Sequence, residues 1–318
     1  MKLITTAILA GSALALVGCG PAGREDGDGD GDGDGNMNTP DAGPTGEARK
    51  CSKMDIVFVV DDSGSMAEEQ GNLAHNFPMF ADVLQNYVNE DGEHIDFRVA
   101  VTTTGRDLTY SNSFGSMFPP MSFSEMGDDG AFRNNCNVNR RWLEPSDPDL
   151  GTALSCRASV GTGGPGYEMP LLMTKWALGD RVADNTNAGF LRDDALLGIV
   201  MLTDEDDSSS TQNNFTIDAS NPNSGPVVDF EPADAIQFLD GVKGHRSRWA
   251  AGVIAGQTSC SSGFGEAAEA TRLKQFVQMT NASGPQQAVF SSICDGNLTG
   301  ALNDIIAKFQ SACGGIIL

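Results

Sequence analysis

The chain has 318 residues, 40% of them hydrophobic, and carries a formal net charge of −23 at pH 7. Such acidity argues against nucleic acid or an anionic lipid surface as a ligand, because both repel a strongly negative protein, and it is compatible with cation binding. No C-x-x-C pair exists among the cysteines and His75, His94 and His245 lie far apart in sequence, which speaks against a zinc site.

At the start, Lys2 followed by the small and apolar residues Leu3 to Leu16 reads as a signal peptide over residues 1–18. The run is too short and too rich in Gly, Ser and Thr to span a bilayer, where about 20 apolar residues are needed. Leu16-Val17-Gly18-Cys19 resembles the bacterial lipobox, which implies cleavage before Cys19 and lipid on its sulfur. Several acyl chains would anchor stably, since each buried methylene adds about 0.8 kcal/mol. Gly20, where that class often has Asp for inner-membrane retention, implies the outer membrane of a Gram-negative bacterium. Residues 19–50 then carry the alternating Asp and Gly of Gly27 to Gly35, with almost nothing apolar to bury, and are expected to be a disordered linker. They have no Glu in the twelfth position that an EF-hand loop requires.

From Cys51 the composition changes to apolar strands alternating with amphipathic helices, the pattern of an α/β domain with a mainly parallel sheet and helices on both faces. Buried strands are expected at Met54–Val60, Phe97–Val101, Leu196–Leu202, Trp249–Ile254 and Ala288–Phe290. Leu73, Phe77, Phe80, Leu84 and Tyr87 recur at helical spacing, as do Leu298, Leu302, Ile305 and Phe309, so each set should line one helix face against the sheet. Pro78 falls inside the first set and should kink or delay that helix. Further helices are expected at about Glu231–Val242 and Glu266–Met279. Residues 104–160, rich in Gly, Pro, Ser and Asn, break the alternation and read as a long irregular insertion.

If Cys19 carries lipid, six cysteines remain in a compartment that permits disulfides. Many pairings are open; spacing suggests Cys136 with Cys156, Cys260 with Cys294, and Cys51 with Cys313 across the ends of a domain spanning residues 51–318.

Directly after the first strand, Val60-Asp61-Asp62-Ser63-Gly64-Ser65-Met66 presents three oxygens, from Asp61, Ser63 and Ser65, at alternate positions of one tight loop. Hard cations take such ligands, and Mg2+ in particular takes few carboxylates and keeps several waters. This Asp-x-Ser-Gly-Ser-Met pattern resembles the metal-ion-dependent adhesion site of von Willebrand factor A domains. The resemblance implies a three-layer, Rossmann-like open sheet and two further ligands. Asp204 matches the aspartate after a central strand, since Leu197 to Leu202 runs into Thr203-Asp204. Thr162 is the candidate threonine of a second loop, where Thr152 or Thr174 could serve instead. Both Asp61 and Asp204 follow a strand immediately, and in open α/β sheets ligands collect beyond the carboxyl ends of strands. The sequence departs from the family at Glu205, Asp206 and Asp207, where glycine and polar residues are usual. These three read as a solvated acidic loop or, more sharply, as extra carboxylates that shift the ion preference toward Ca2+ or build a second site.

The resemblance implies a binding module, not an enzyme: Mg2+, or Ca2+ or Mn2+, keeps a coordination position open for a carboxylate from a protein partner, in adhesion or complex assembly. An alternative is a metal-dependent hydrolase. An aspartate after the first strand is also shared with haloacid-dehalogenase-like phosphatases, but their second aspartate is replaced here by Ser63, and the two serines have no evident base. The other alternative is a metal-independent structural surface protein, stiffened by disulfides, whose specificity lies in residues 104–160.

Overall fold

A computed structural model describes residues 51–316, apart from 115–117, 219, 222–223, 263–264 and 296–297. The signal peptide, Cys19 and the linker expected within residues 1–50 lie outside the described residues. The elements are β1 (Lys53–Val60), α1 (Ala67–Asn86), β2 (Asp96–Thr103), β3 (Leu108–Ser113), β4 (Met121–Glu125), α2 (Leu150–Ala158) and α3 (Pro170–Lys175). A π-turn carries α3 into α4 (Arg181–Ala183), followed by β5 (Leu196–Leu202), β6 (Asn214–Asp218), α5 (Pro232–Lys243) and β7 (Trp249–Ala255). The hairpin β8 (Cys260–Ser262) and β9 (Gly265–Ala267), then α6 (Thr271–Asn281), β10 (Ala288–Ser292) and α7 (Leu298–Gly314) complete it.

The five apolar runs form one sheet in the order β10-β7-β5-β1-β2, every pairing parallel. Parallel strands need helical crossovers, which cover both faces and demand side chains that are apolar on each. In β1, Ile56, Phe58 and Val60 join Leu73, Phe77 and Phe80 of α1 and Leu302, Ile305 and Phe309 of α7, while Val57 and Val59 point to the opposite layer with Leu172, Leu239 and Phe276. The chain is therefore α/β with helices on both faces, as the alternation implies. Helix α7 lies close on the sheet because Gly198 and Gly252 leave room: a Cβ on Gly252 would stand 2.3 Å from Ile305 Cγ1.

Helix α1 is not delayed by Pro78, which lies in its interior, well after its start at Ala67. Proline there removes the N–H that would bond the carbonyl four residues back, and Ser155 Oγ of α2 donates to that carbonyl, Ala74 O, at 2.7 Å instead. Helix α6 begins at Thr271, later than periodicity suggests, because residues 265–267 are taken by the β8–β9 hairpin.

The irregular insertion expected over 104–160 is corrected by β3, β4 and α2. Strand β3 pairs antiparallel with β4 and parallel with the distant β6, forming a second sheet. Ser, Thr and Asn fill one face of these strands, which masks their period of two; Phe123, Tyr110 and Phe215 stand in register on the other, with ring centroids 5.3 and 5.4 Å apart. Such cross-strand aromatic pairs stabilise a sheet of modest propensity. All three suggested disulfides are present: Cys51–Cys313, Cys136–Cys156 and Cys260–Cys294. Beside the second, the buried Arg157 donates to the carbonyls of Val138 and Arg140, tying the loop to α2.

Among the described residues, no helix is long and apolar enough to cross a membrane.

Candidate metal centre at the switch point of the sheet

Chain order in the sheet reverses between β1 and β5: from β1 the chain steps outward to β2, then returns past it to β5. Crossovers leaving such a point on opposite faces open a crevice beyond the strand ends. Asp61 and Asp204 stand there, held level by the bonds Asp61 N to Leu202 O and Thr203 N to Ile254 O.

One chain of hydrogen bonds connects the motif residues. Asp61 Oδ1 accepts from Ser63 N at 2.8 Å and Asp61 Oδ2 from Thr203 Oγ1 at 2.6 Å. Ser63 Oγ lies 2.9 Å from Ser65 Oγ, and Ser65 Oγ donates to Asp204 Oδ1 at 3.2 Å. Gln70 Nε2 fixes the loop by donating to Asp61 O at 2.8 Å. Four of the five expected ligands, Asp61, Ser63, Ser65 and Asp204, are thus brought together. Among the described residues no three His, Cys, Asp or Glu side chains are grouped to hold a metal by themselves, so an ion here must draw on the hydroxyls as well.

The fifth, Thr162, is exposed on the loop of residues 161–168. That loop nevertheless lies over the motif: Gly164 N donates to Asp62 O at 2.7 Å, and a Cβ on Gly164 would stand 2.2 Å from Asp62 Cγ. Of the other two candidate threonines, Thr174 is buried within α3 with its hydroxyl donating to Pro170 O, and Thr152 lies on α2, lining a cavity beside the Cys136–Cys156 bridge.

Glu168, at the end of the same loop, was not legible as a site residue. It is 1% exposed, and neither of its carboxylate oxygens accepts a hydrogen bond from a donor. Burial first, then the charges of Asp61 and Glu205, push its carboxyl up to about 10. Burial and Asp61 raise Asp204 to about 7. Burial, Asp128 and Asp61 raise Asp62 to about 7. Asp61 is raised by burial against the hydrogen bonds it accepts. Glu69, whose Oε2 is buried without a partner, is raised by burial and by Glu68 and Asp61. A buried group of carboxylates in which Arg133 opposes only the rise of Asp62 favours protons or a cation, and these hard oxygen donors suit Mg2+ or Ca2+.

The acidic run after Asp204 has neither of its expected roles throughout. Asp206 accepts from Arg272 N and Leu273 N at the start of α6. Asp207, fully buried, accepts from Leu171 N at the start of α3 and pairs with Arg272. Both are helix-terminal anchors; only Glu205 faces the carboxylate group. Beside Ser65, Asp204 and Glu205 an open cleft of about 580 Å³ is walled by Cys260, Ser261 and Glu266 of the β8–β9 hairpin.

No protein-family model and no curated protein matches the sequence. Solved structures that resemble the fold include the pilus adhesin SpaC of Lactobacillus rhamnosus GG, at 12% identity and TM-score 0.43, covering 83% of this chain and 31% of that one. The vWF domain of the type V pili tip protein Mfa5 of Porphyromonas gingivalis matches at 11% identity and TM-score 0.42, over 84% of this chain and 97% of that domain. The mussel byssus proximal thread matrix protein 1, in a form with a zinc-occupied MIDAS motif, matches at 12% identity and TM-score 0.39, over 81% and 49%. This chain therefore spans about a third of the adhesin and about half of the byssus protein.

Proposed function

We propose that residues 51–318 are a von Willebrand factor A-type domain that binds a hard divalent cation and, through it, a carboxylate of a protein partner at the cell envelope. Asp61, Ser63, Ser65 and Asp204 would hold the ion, with Thr162 or the buried Glu168 supplied by the loop of residues 161–168. Mg2+ is the first choice, and Ca2+ or Mn2+ the others. The carrying observation is the unbroken chain of bonds from Thr203 through Asp61, Ser63 and Ser65 to Asp204, beside a buried carboxylate without a hydrogen-bond donor. When bound, the ion supplies positive charge in a site otherwise too acidic to attract a carboxylate.

A binding role is favoured over hydrolysis because Ser63 and Ser65 are hydrogen-bonded to each other and Ser65 to Asp204, whereas His245 Nδ1 pairs with Ser247 Oγ. A nucleophilic serine needs a base within reach.

Saturating Mg2+, Mn2+ or Ca2+ is expected to raise the melting temperature. At a hundredfold excess over Kd the gain is about 2.7 kcal/mol, roughly 5–10 °C for a domain of this size. Asp61→Ala should abolish both this rise and the calorimetric heat of binding; wild-type protein giving no heat with any of the three ions would refute the assignment. Anchorage to the outer membrane through lipid on Cys19 belongs to the same proposal. Incorporation of a fatty-acid label in a bacterial host should be lost in Cys19→Ala, and label retained in that variant would rule the anchor out.

A further inference from the structure

The loop of residues 161–168 is fastened by backbone bonds at its middle and just past its end, Gly164 N to Asp62 O at 2.7 Å and Met169 N to Thr104 O at 3.1 Å. Between them the Glu168 carbonyl accepts from Ser208 N at 2.7 Å, and a side chain holds the residues before it. Glu125, at the end of β4, accepts from Gly166 N at 3.2 Å through Oε2 and from Tyr110 OH at 2.8 Å through Oε1. Tyr110 is itself clamped between Phe123 and Phe215, and the next loop residue, Tyr167, stands edge-on to both Tyr110 and Phe215 at 6.2 and 5.4 Å. Glu168 follows immediately, its two carboxylate oxygens buried and without a hydrogen-bond donor. The small β4-β3-β6 sheet thus grips the loop two residues before the carboxylate that faces Asp61.

We infer that Glu125 is a positioning residue for the cation site: by joining Tyr110 to Gly166 it fixes where the Glu168 carboxylate stands, so that the small sheet sets the affinity and selectivity of the ion. This rests on the cation-binding reading above and on Glu168 as a ligand. Groups that orient a ligand carboxylate typically contribute about 10–100-fold to metal affinity. Their loss should also fall unevenly between ions. Mg2+ demands near-octahedral geometry and short contacts, whereas Ca2+ accepts looser and more variable ones, so a loosened loop penalises Mg2+ more.

The test measures Kd for Mg2+ and for Ca2+ by calorimetry on the full chain, alongside the melting temperature in EDTA, for wild type, Glu125→Ala and Tyr110→Phe. The phenylalanine variant keeps the stacked ring and deletes only the hydroxyl. Expected are a weakening of Mg2+ by about tenfold or more in Glu125→Ala, a smaller weakening in Tyr110→Phe, a lesser effect on Ca2+ in both, and nearly unchanged melting in EDTA. Should Glu125→Ala melt far lower, Tyr110→Phe decides. Unchanged Mg2+ affinity in Tyr110→Phe and Glu125→Ala, or an equal loss of both ions accompanied by lower melting in EDTA, overturns the inference while leaving the cation site standing. Wild-type protein that binds neither ion overturns both.

Discussion

In EDTA at pH 8, Glu168→Gln should melt about 10 °C above the wild type, and the gap should close as the pH falls toward 4. The folded protein keeps a proton on Glu168 up to about pH 10, whereas the unfolded chain releases it near pH 4.3. Where the native state binds more protons than the unfolded state, stability falls as pH rises. The penalty is absent below the unfolded value and grows by about 1.4 kcal/mol for each pH unit above it, reaching several kcal/mol at pH 8. At roughly 2–4 °C per kcal/mol for a domain of this size, a fraction of that suffices. Asp204 and Asp62, both raised to about 7, add to the wild-type slope between pH 4 and 7, but they are common to both proteins and cancel in the difference. The glutamine has no charge to bury and so lacks the penalty. With saturating Mg2+ the ranking should reverse, because the ion stabilises the ionised carboxylate and must displace its proton. A variant that melts below the wild type in EDTA at pH 8 would mean that Glu168 is satisfied in the native protein.

The second large effect concerns the bridge between Cys51, just before β1, and Cys313 in α7, 262 residues apart in sequence. Closing a loop of that length removes unfolded-state entropy worth about 5 kcal/mol, against about 3 kcal/mol for a loop the size of that between Cys136 and Cys156. The double variant Cys51→Ser/Cys313→Ser, which leaves no odd thiol, should therefore melt roughly 10–20 °C lower. Cys136→Ser/Cys156→Ser should lose less. Both cysteines of the long bridge are buried, so the two new hydroxyls enlarge the loss. Scanning calorimetry that ranks the two variants the other way would show that native packing, not chain entropy, governs these bridges.

Both effects follow from features that differ in how plainly the sequence shows them. The long bridge was suggested by spacing alone, since one cysteine precedes the first apolar run and the other ends the last helical face. Asp61, Ser63 and Ser65 were legible because one loop holds them at alternate positions, and Asp204 because it ends a strand buried on both faces. Glu168 was not. It lies between a glycine-rich loop and a proline-started helix, and nothing within ten residues distinguishes it from a solvated glutamate. The loop that carries it is gripped by Tyr110, Glu125 and Phe215, drawn from strands that the Ser- and Asn-rich pattern conceals.

By itself the sequence determined the alternation of buried strands and amphipathic helices, the parallel sheet that follows from it, and the two acidic strand ends that parallel order places at one rim. Local periodicity suffices for these because each strand must bury both faces and each helix one. Only the tertiary structure decided which carboxylates lose their water. Asp206 and Asp207 are drawn into the N-termini of α6 and α3, while Glu168 is left without a hydrogen-bond donor beside Asp61. A carboxylate's solvation depends on what packs over it, and those neighbours come from stretches of chain far away in sequence.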